Sequence, residues 1–383
     1  MVPKIRFKSF SAPLSKCKVK EILERFVSPV TISEIDKYRE IGIRSHGRGL
    51  FHKDEVLGKS LGNKRVFWIK RDALILNIVF AWEQAVAITS SKEEGFIASH
   101  RFPMYLPKNN RCNTDYVRWY FLTNKGKNFL ELASPGGAGR NKTLGQKKFD
   151  ELVLTIPELS EQNKITAFLN YVDEKIKLLN KQYDLLCRYK NGAIHSVFSQ
   201  RFRFKDKNGE PFSEWTHTTL GAILGYEQPT KYIVSSTDYA KENSTPVLTA
   251  GKKFILGYTS ETEGIYSELP VIIFDDFTTS FKFVDFPFKV KSSAMKILKT
   301  KNQQYLLRYV FYAMHTIRYA IGDDHKRRWI SEYSNISLPT PSLEEQEKIA
   351  LFFASIDDKI AKKKSEINKL NTWKQGLMQQ MFV

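Results

Sequence analysis

The sequence predicts an α+β protein: two domains of mixed α/β structure separated by two long antiparallel coiled-coil helices, with a pseudo-twofold internal repeat. Three observations lead to this prediction. Residues 154–199 match residues 338–383 at a constant offset of 184 positions, both copies have the apolar spacing of a long helix, and short Val-, Ile- and Phe-rich runs occur in the segments that precede them. A self-match at one fixed offset is typical of a duplicated structural unit.

Each copy is expected to form one helix of about 40 residues, or about 60 Å at 1.5 Å per residue. Apolar residues recur at alternating steps of four and three, as in the a/d seam of a coiled coil. They are Ile165, Leu169, Val172, Ile176, Leu179, Tyr183 and Leu186 in the first copy, and Ile349, Phe353, Ile356, Ile360, Ile367 and Leu370 in the second, where Lys363 stands at an expected apolar position. Ser342 and Glu345 occupy capping-box positions at the start of the second helix. The simplest partner for each helix is its own copy; two unrelated amphipathic helices are the alternative, which the matched register disfavours.

The repeat divides the chain into four parts. They are a first domain (1–155), a central helix (156–200), a second domain (201–337) and a C-terminal helix (338–383). Segments containing Arg-Phe-Lys open both halves, at Arg6 and Arg203. Each domain is expected to contain a short buried strand, at 72–77 or 268–274, and about 40 residues later a capped helix that begins at Asn113 or Asn302.

Length and charge limit the class of protein. The 383 residues are enough for two or three domains with cores of their own. The formal charge of +19 predicts a polyanionic partner, with nucleic acid ahead of a membrane surface. No apolar run approaches the roughly 20 residues that span a bilayer, and the first residues lack the apolar stretch of a signal peptide, so we expect a cytoplasmic protein with no membrane contact. Cys17, Cys112 and Cys187 indicate neither a disulfide framework nor a zinc site.

Several short patterns imitate a catalytic or cofactor site without completing one. The run Gly-Lys-Ser at 58–60 lacks the glycine that a phosphate-binding loop needs five positions earlier, where Lys53 stands. Asp173 and Asp357 fall in the middle of the predicted helices, where a solvated helix face is the simpler interpretation. For the pair Asp275-Asp276, the downstream acid-x-Lys position reads Ser280-Phe281-Lys282, so no metal-binding pair of carboxylates is completed locally, and the histidines lack metal-ligand spacing. We therefore expect no catalytic, cofactor-binding or metal-binding residue in this chain, which favours a binding protein.

A protein that reads duplex DNA needs Lys and Arg for phosphates, and polar or Arg side chains for base edges. Such side chains cluster, often beside small residues, at several points in both domains. The candidates are Arg44, Ser45, His46, Arg48, Arg101, Arg140, Asn141 and Lys142 in the first domain, and Lys231, Tyr232, Lys252, Thr278, Thr279, Lys282, Lys326, Arg327 and Arg328 in the second. Any one of them could be an ordinary solvated residue. The stronger signal is a basic loop at the same point of both repeats, with Lys142 matching Lys326.

The helix entries resemble those of a known family. Residues 157–165 and 341–349 both fit Pro-x-Leu-x-Glu-Gln-x-x-Ile. Together with the Arg-Phe-Lys segments and Trp215, these motifs make the chain similar, over essentially its whole length, to the specificity subunit of type I restriction-modification enzymes. The first half has no counterpart of Trp215, so the two domain openings differ.

The resemblance implies two target-recognition domains, each reading half of a split, asymmetric sequence in double-stranded DNA. It also implies two DNA methyltransferase subunits docked on the paired helices, and restriction subunits of the same system. The complete enzyme would use S-adenosylmethionine, ATP and magnesium, none of them bound by this chain. Two alternatives stay open: a non-specific scaffold tethered to nucleic acid by its charge, and an enzyme with an unrecognised site. Binding to one split sequence would exclude the first, and activity of the isolated chain would establish the second.

Overall fold

The computed structural model describes residues 3–137, 142–240, 242–250, 253–319 and 328–382. The chain divides into two compact units: unit 1 comprises residues 1–180 and 366–383, and unit 2 comprises residues 181–365. Each unit contains one mixed domain and parts of two long helices. The predicted α+β class, with two mixed domains and two long helices, is confirmed.

The domain of unit 1 combines three small sheets with short helices. Its elements are β1 (Ser15–Lys18), α1 (Val19–Ile22), β2 (Leu23–Phe26), β3 (Lys37–Ile43), β4 (Leu50–Leu57), β5 (Val66–Trp68), β6 (Leu74–Leu76), β7 (Val86–Ile88), β8 (Ile97–Ser99), β9 (Met104–Pro107), α2 (Thr114–Phe121), α3 (Asn124–Leu132), α4 (Gln146–Asp150) and β10 (Val153–Ile156). The first long helix, α5 (Leu159–Phe198), follows. The strand orders in the described part of this unit are β2-β9-β6-β7, β4-β3-β8-β5 and β1-β10.

The domain of unit 2 is built in the same way. Its elements are β11 (Thr216–Thr219), α6 (Leu220–Ile223), β12 (Leu224–Glu227), β13 (Thr245–Leu248), β14 (Ile255–Thr259), β15 (Val271–Asp275), β16 (Phe281–Val284), β17 (Lys289–Val290), β18 (Met295–Thr300), α7 (Leu307–Met314), α8 (Arg328–Ser331) and β19 (Ser337–Thr340). The second long helix is α9 (Leu343–Met381). The strand orders in the described residues are β12-β18-β15-β16, β14-β13-β17 and β11-β19.

Each domain contains a four-stranded sheet with the same strand order, although the two sequences differ. The orders β2-β9-β6-β7 and β12-β18-β15-β16 correspond strand for strand, and every pair in both is antiparallel. In each unit a two-stranded ribbon, β1-β10 or β11-β19, leads the chain into a long helix. The strands expected at 72–77 and 268–274 are therefore confirmed as the matched strands β6 and β15.

The glutamate of each helix entry ties the domain to its helix. The carboxylate of Glu161, 1% exposed, accepts hydrogen bonds from the guanidinium of Arg6 at 2.7 and 2.6 Å. The carboxylate of Glu345, 0% exposed, accepts from Arg203 at 2.8 Å and from the indole N–H of Trp215 at 2.7 Å. Burial without such partners would be costly for either carboxylate, so the Arg-Phe-Lys segments and Trp215 have a structural role.

The neighbouring glutamines hold the domain helices α2 and α7. The Oε1 atom of Gln162 accepts the backbone N–H of Asn113, just before α2, at 2.9 Å, and that of Gln346 accepts the backbone N–H of Leu306, just before α7, at 2.9 Å. The helix expected from Asn113 is confirmed, since its side chain caps α2. The expected start at Asn302 is wrong: α7 begins after Leu306, where Gln346 supplies the acceptor.

The predicted capping box at the start of α9 forms only in part. The Oγ atom of Ser342 accepts the backbone N–H of Glu345 at 3.4 Å. The carboxylate of Glu345 is engaged by Arg203 and Trp215, so it does not complete the reciprocal bond of the motif. The ion pair to the domain therefore replaces half of the cap.

Inside each unit, predicted seam residues of one long helix pack in the core with residues from the other end of the second. Ile165 and Leu169 lie in the unit 1 core with Met378 and Phe382, and Ile349, Phe353 and Ile356 lie in the unit 2 core with Ile194 and Val197; Met378, Phe382, Ile194 and Val197 lie beyond the predicted seams. In unit 2, Lys190 pairs with Asp357 at 2.5 Å and the ring of Phe198 stacks on Phe353 at 6.3 Å, so the two segments run antiparallel. The corresponding pair in unit 1 joins Lys374 to Asp173. The expectation that Asp173 and Asp357 lie on a solvated face is wrong, because both are half-buried partners of lysines.

Candidate nucleic-acid interface

The first group of predicted residues forms the turn between β3 and β4. The Oγ atom of Ser45 donates to the carboxylate of Glu83 at 2.7 Å, and the backbone N–H of His46 donates to the Glu83 carbonyl at 2.7 Å. His46 has a φ of 60°, and the following Gly47 has a φ of 65° with the side chain of Leu122 filling the space of a Cβ. Because the turn is fixed in this way, the side chains of His46 and Arg48 are presented to solvent.

Arg44 and Arg48 differ in how freely they project. The guanidinium of Arg44 donates to the carbonyl of Leu50 at 2.8 Å and lies 4.9 Å from the ring centroid of Phe51. The side chain of Arg48 is exposed and makes no hydrogen bond or ion pair with any described residue. Arg48 is therefore the more available of the two for a phosphate or a base edge.

Arg101 lies in a groove of about 670 Å³, called the first groove below. Its lining is mostly basic and polar, with two aromatic rings. The lining residues are Glu40, Lys53, Asn63, Lys64, Arg65, Asn77, Val79, Phe80, Ser99, His100, Arg101 and Phe102. The lining contains four Lys and Arg side chains and one carboxylate, so its net positive charge suits the phosphates and base edges of a nucleic acid.

The segment 79–84 brings the predicted sites of unit 1 together. Val79 and Phe80 line the first groove, and Glu83 holds the β3–β4 turn. The Nζ atom of Lys142 lies 5.1 Å from the ring centroid of Trp82 in the same segment. Arg140 and Asn141 lie outside the described residues. Turn, groove and Lys142 thus all border one short segment, although sequence gave no reason to join them.

A second groove, of about 370 Å³, lies in unit 2 and contains the predicted Thr278 and Lys282. Its lining residues are Thr249, Ala250, Phe254, Ile273, Asp275, Thr278, Ser280, Lys282 and Met295. Thr278 donates its hydroxyl to the carboxylate of Asp275, and Thr279 follows with a φ of 54° in the same turn. Lys252 lies outside the described residues, two positions after the groove residue Ala250.

The two grooves occupy the same place relative to the four-stranded sheet of their own domain. Asn77 directly follows β6 and accepts the backbone N–H of Val79 at 3.1 Å, and Asp275, the last residue of the matching β15, accepts that of Phe277 at 3.0 Å. The residue directly after each Asx residue also bonds to the chain just before the neighbouring strand. The backbone N–H of Ile78 donates to the Arg101 carbonyl at 3.0 Å, and that of Asp276 donates to the Ala294 carbonyl at 3.2 Å. A groove therefore lies at the same strand end of each domain, beside the same kind of Asx turn.

Lys231, Tyr232 and Arg328, which were also predicted, are not among the lining residues of the second groove. Lys231 is exposed, while the hydroxyl of Tyr232 donates to Glu227 at 2.8 Å and its ring packs 4.9 Å from that of Tyr266. Burial and the hydrogen bond to Glu227 raise the pKa of Tyr232 to about 12. Arg328 is 6% exposed.

The position of Arg328 is nevertheless close to the second groove. The next residue, Trp329, donates its backbone N–H to Asp276 at 2.9 Å, and Asp276 follows the groove residue Asp275. Asp276 is also 3.2 Å from the buried Lys296. Lys326 and Arg327 lie outside the described residues. The carboxylate of Asp276 is thus engaged by the protein itself.

Sequence reasoning missed several lining residues of the first groove. The sequence patterns single out Lys53 only as the residue that replaces a phosphate-loop glycine and Asn77 only as the end of a predicted strand, and they do not single out Glu40, Lys64 or Arg65. They come from separate strands and turns, and charge alone does not distinguish them from other surface residues. One local signal could have identified Glu40. Strand alternation places it on the same face of β3 as the buried Tyr38, and a charged residue is rarely buried without a partner.

Among the described residues, no group of three or more His, Cys, Asp or Glu side chains is placed to hold a metal ion. In the same residues, no helix has the length and apolar character needed to cross a membrane.

Comparison with known proteins gives the family. The model of the type I restriction modification DNA specificity domain matches residues 63–187 and again residues 212–372. The chain is 55% identical over 140 residues to the specificity subunit of the Escherichia coli type I restriction enzyme EcoR124I/EcoR124II, covering 35% of this chain and 34% of that protein. It is 25% identical over 318 residues to the putative type I restriction enzyme MjaX specificity subunit of Methanocaldococcus jannaschii, covering 76% and 73%. The match to the Escherichia coli protein thus spans about a third of that relative.

Solved structures support the fold. The crystal structure of a type I restriction-modification S subunit from M. genitalium aligns over 100% of this chain and 99% of its own, with a TM-score of 0.65 and 15% identity. That of the HsdS subunit from Thermoanaerobacter tengcongensis aligns over 97% of both chains, with a TM-score of 0.50 and 14% identity. With two matches to the family model, the chain belongs to the family of type I restriction-modification DNA specificity subunits, and the resemblance seen in the helix entries is confirmed.

Proposed function

We propose that this chain reads an asymmetric, two-part target in double-stranded DNA, with one domain on each half-site. The domains are taken as residues 1–155 and 201–337, and the helices as 156–200 and 338–383. The observation that supports this proposal is the groove at the same strand end of both domains. Shared position gives both domains the same means of approaching DNA, and unlike linings give them different base preferences.

Base reading and phosphate contact fall to different side chains. The first groove offers Arg101 with three further basic residues, whereas the second offers Lys282 with hydroxyl groups from Thr278 and Ser280. Arg can bond guanine O6 and N7, and hydroxyl groups bond several base edges. Exposed residues outside the grooves, such as Arg48 and Lys231, contact phosphates or neighbouring bases.

The chain acts in the cytoplasm as a non-catalytic part of a larger complex. Two DNA methyltransferase subunits dock on the long helices, and restriction subunits of the same system join them. Large apolar side chains on α5 support a protein partner there: Tyr171 and Leu178 in unit 1 are 70% and 52% exposed, and Leu185 and Tyr189 in unit 2 are 52% and 56% exposed. Water-exposed apolar groups of this size favour contact with another protein.

The test is a selection from a randomised duplex library, using the chain together with its methyltransferase. Two short, unlike motifs at a fixed spacing are the expected result. Recovery of salt-sensitive binding without sequence preference would refute the proposal in favour of the non-specific scaffold.

Matched variants assign each half-site to a domain. Arg101→Ala should weaken or relax recognition of one half-site only, and Lys282→Ala that of the other, each by about 1–3 kcal/mol if the side chain contacts a base. The controls Lys59→Ala in unit 1 and Lys207→Ala in unit 2 remove exposed lysines outside both grooves. Loss at both half-sites from either groove variant would contradict the one-domain-per-half assignment.

A further inference from the structure

The first groove contains one acidic side chain, Glu40, among its basic residues. Glu40 lies on β3 and is 8% exposed, so most of the residue is buried in the groove wall. The β3–β4 register shifts between Arg39 and Ile41, so that one residue of β3 faces two of β4, Lys53 and Asp54. Such a bulge re-aims the side chains beside it.

The carboxylate of Glu40 is engaged on one side only. Its Oε2 atom lies 3.1 Å from the Nζ atom of Lys53 and 3.6 Å from that of Lys64. No described residue hydrogen-bonds its other oxygen, Oε1. Oε1 is not one of the fully buried, unpaired polar atoms of the described residues, so it remains accessible as an acceptor for a donor that enters the groove.

A purely structural role explains this arrangement poorly. The side chains of Lys53 and Lys64 are 46% and 51% exposed, and ion pairs with such exposed partners contribute little to stability. The two lysines do, however, hold the carboxylate in one orientation and leave Oε1 facing the groove.

We propose that Glu40 accepts a hydrogen bond from the exocyclic amino group of one base, cytosine N4 or adenine N6, in the half-site read by the first domain. These amino groups are the hydrogen-bond donors that bases expose in the major groove, and a carboxylate is their natural acceptor. Lys53 and Lys64 position the carboxylate and donate to neighbouring base acceptors or phosphates. The inference rests on the proposed function, since it requires the first groove to face DNA.

The experiment measures binding of the chain with its methyltransferase to the selected duplex and to duplexes in which one exocyclic amino group is removed. Purine replaces adenine, or 2-pyrimidinone replaces cytosine, at each position of the first half-site in turn. For the wild type, one replacement should weaken binding by about 5- to 150-fold, and its identity distinguishes adenine from cytosine. For Glu40→Ala, which removes the acceptor, that same replacement should cost less than about 2-fold, because there is no longer a hydrogen bond to lose.

Glu55→Ala is the matched control, since Glu55 is an exposed β4 carboxylate 3.4 Å from Lys37 and outside the groove lining. It should retain the full wild-type loss at the same position. Wild-type losses at the other positions of the first half-site report whether the first domain of the Glu40 variant is folded. Equal losses in wild type and Glu40→Ala at every position would overturn the inference alone, while a wild-type chain that selects no split motif would overturn it together with the proposed function.

Discussion

Replacing Glu345 with alanine tests whether the helix entry holds the second domain in place. The Glu345 side chain is 0% exposed and bonds Arg203 at 2.8 Å and the Trp215 indole at 2.7 Å. Removing one partner of a buried ion pair costs about 3–5 kcal/mol, and an orphaned buried donor about 1–3 kcal/mol. Arg203 keeps 24% of its side chain exposed and a bond to the Ser213 carbonyl at 2.7 Å, so the two losses do not add in full. We expect about 3–4 kcal/mol in total.

Hydrogen exchange with peptide resolution on the full chain measures this loss where it occurs. A change of about 3 kcal/mol makes exchange by local opening roughly 100-fold faster. Peptides from 202–216 and from the start of α9 should show it, and peptides from unit 1 should not. Glu344→Ala, which removes the exposed neighbouring carboxylate, should change stability by less than about 0.5 kcal/mol. Equal exchange in the two variants would refute the view that Glu345 ties the domain to its helix.

Three further predictions concern pairs and single groups. Lys190→Glu should destabilise unit 2, because it places a like charge beside Asp357, and adding Asp357→Lys should restore much of the lost stability. Urea unfolding of the single and double variants checks this, and additive losses would contradict it. Because burial raises the pKa of Cys112 to about 12, Cys187 should react with an uncharged thiol reagent well before Cys112 at pH 8, as peptide mapping would show. Burial acts to raise the pKa of Glu93, but side-chain hydrogen bonds hold it below its ordinary value. The ionised carboxylate therefore stabilises the fold above about pH 4.5, and this stabilisation is lost as the pH falls further. The difference in free energy of unfolding between wild type and Glu93→Gln should shrink in acid.

The frame of the protein could be predicted because its signal is local and repeated. The seam residues recur at a fixed helical spacing, and the Glu-Gln pair stands at the same point of both copies. What sequence left open was the role of that pair. Glu161 and Glu345 looked like ordinary helix-entry carboxylates, and only the fold brings Arg6 and Arg203 to them from segments far away in the chain.

The grooves could not be predicted, because their signal is tertiary. Asn77 and Asp275 serve the same turn, yet they are 198 positions apart and not 184, since the loops of the two domains differ in length. The constant offset that reveals the helices therefore hides this match. Basic charge also did not separate Arg101, which lines a groove, from Arg328, which is buried, because a sequence shows the charge of a side chain and not its exposure.

The contrast between frame and grooves has a physical basis. Glu161 and Glu345 are buried with one set of partners, and loss of either partner leaves an uncompensated charge, so these positions tolerate little change. Groove residues such as Arg101 and Lys282 face water, where a substitution leaves no buried group unpaired and costs the fold little. Two copies of one plan can therefore keep the same helix entries while their grooves diverge, and the divergence falls on the residues that would read DNA. Glu40 is the exception, because it is a largely buried charge in a groove wall whose Oε1 atom has no protein donor among the described residues and is open to a donor from outside.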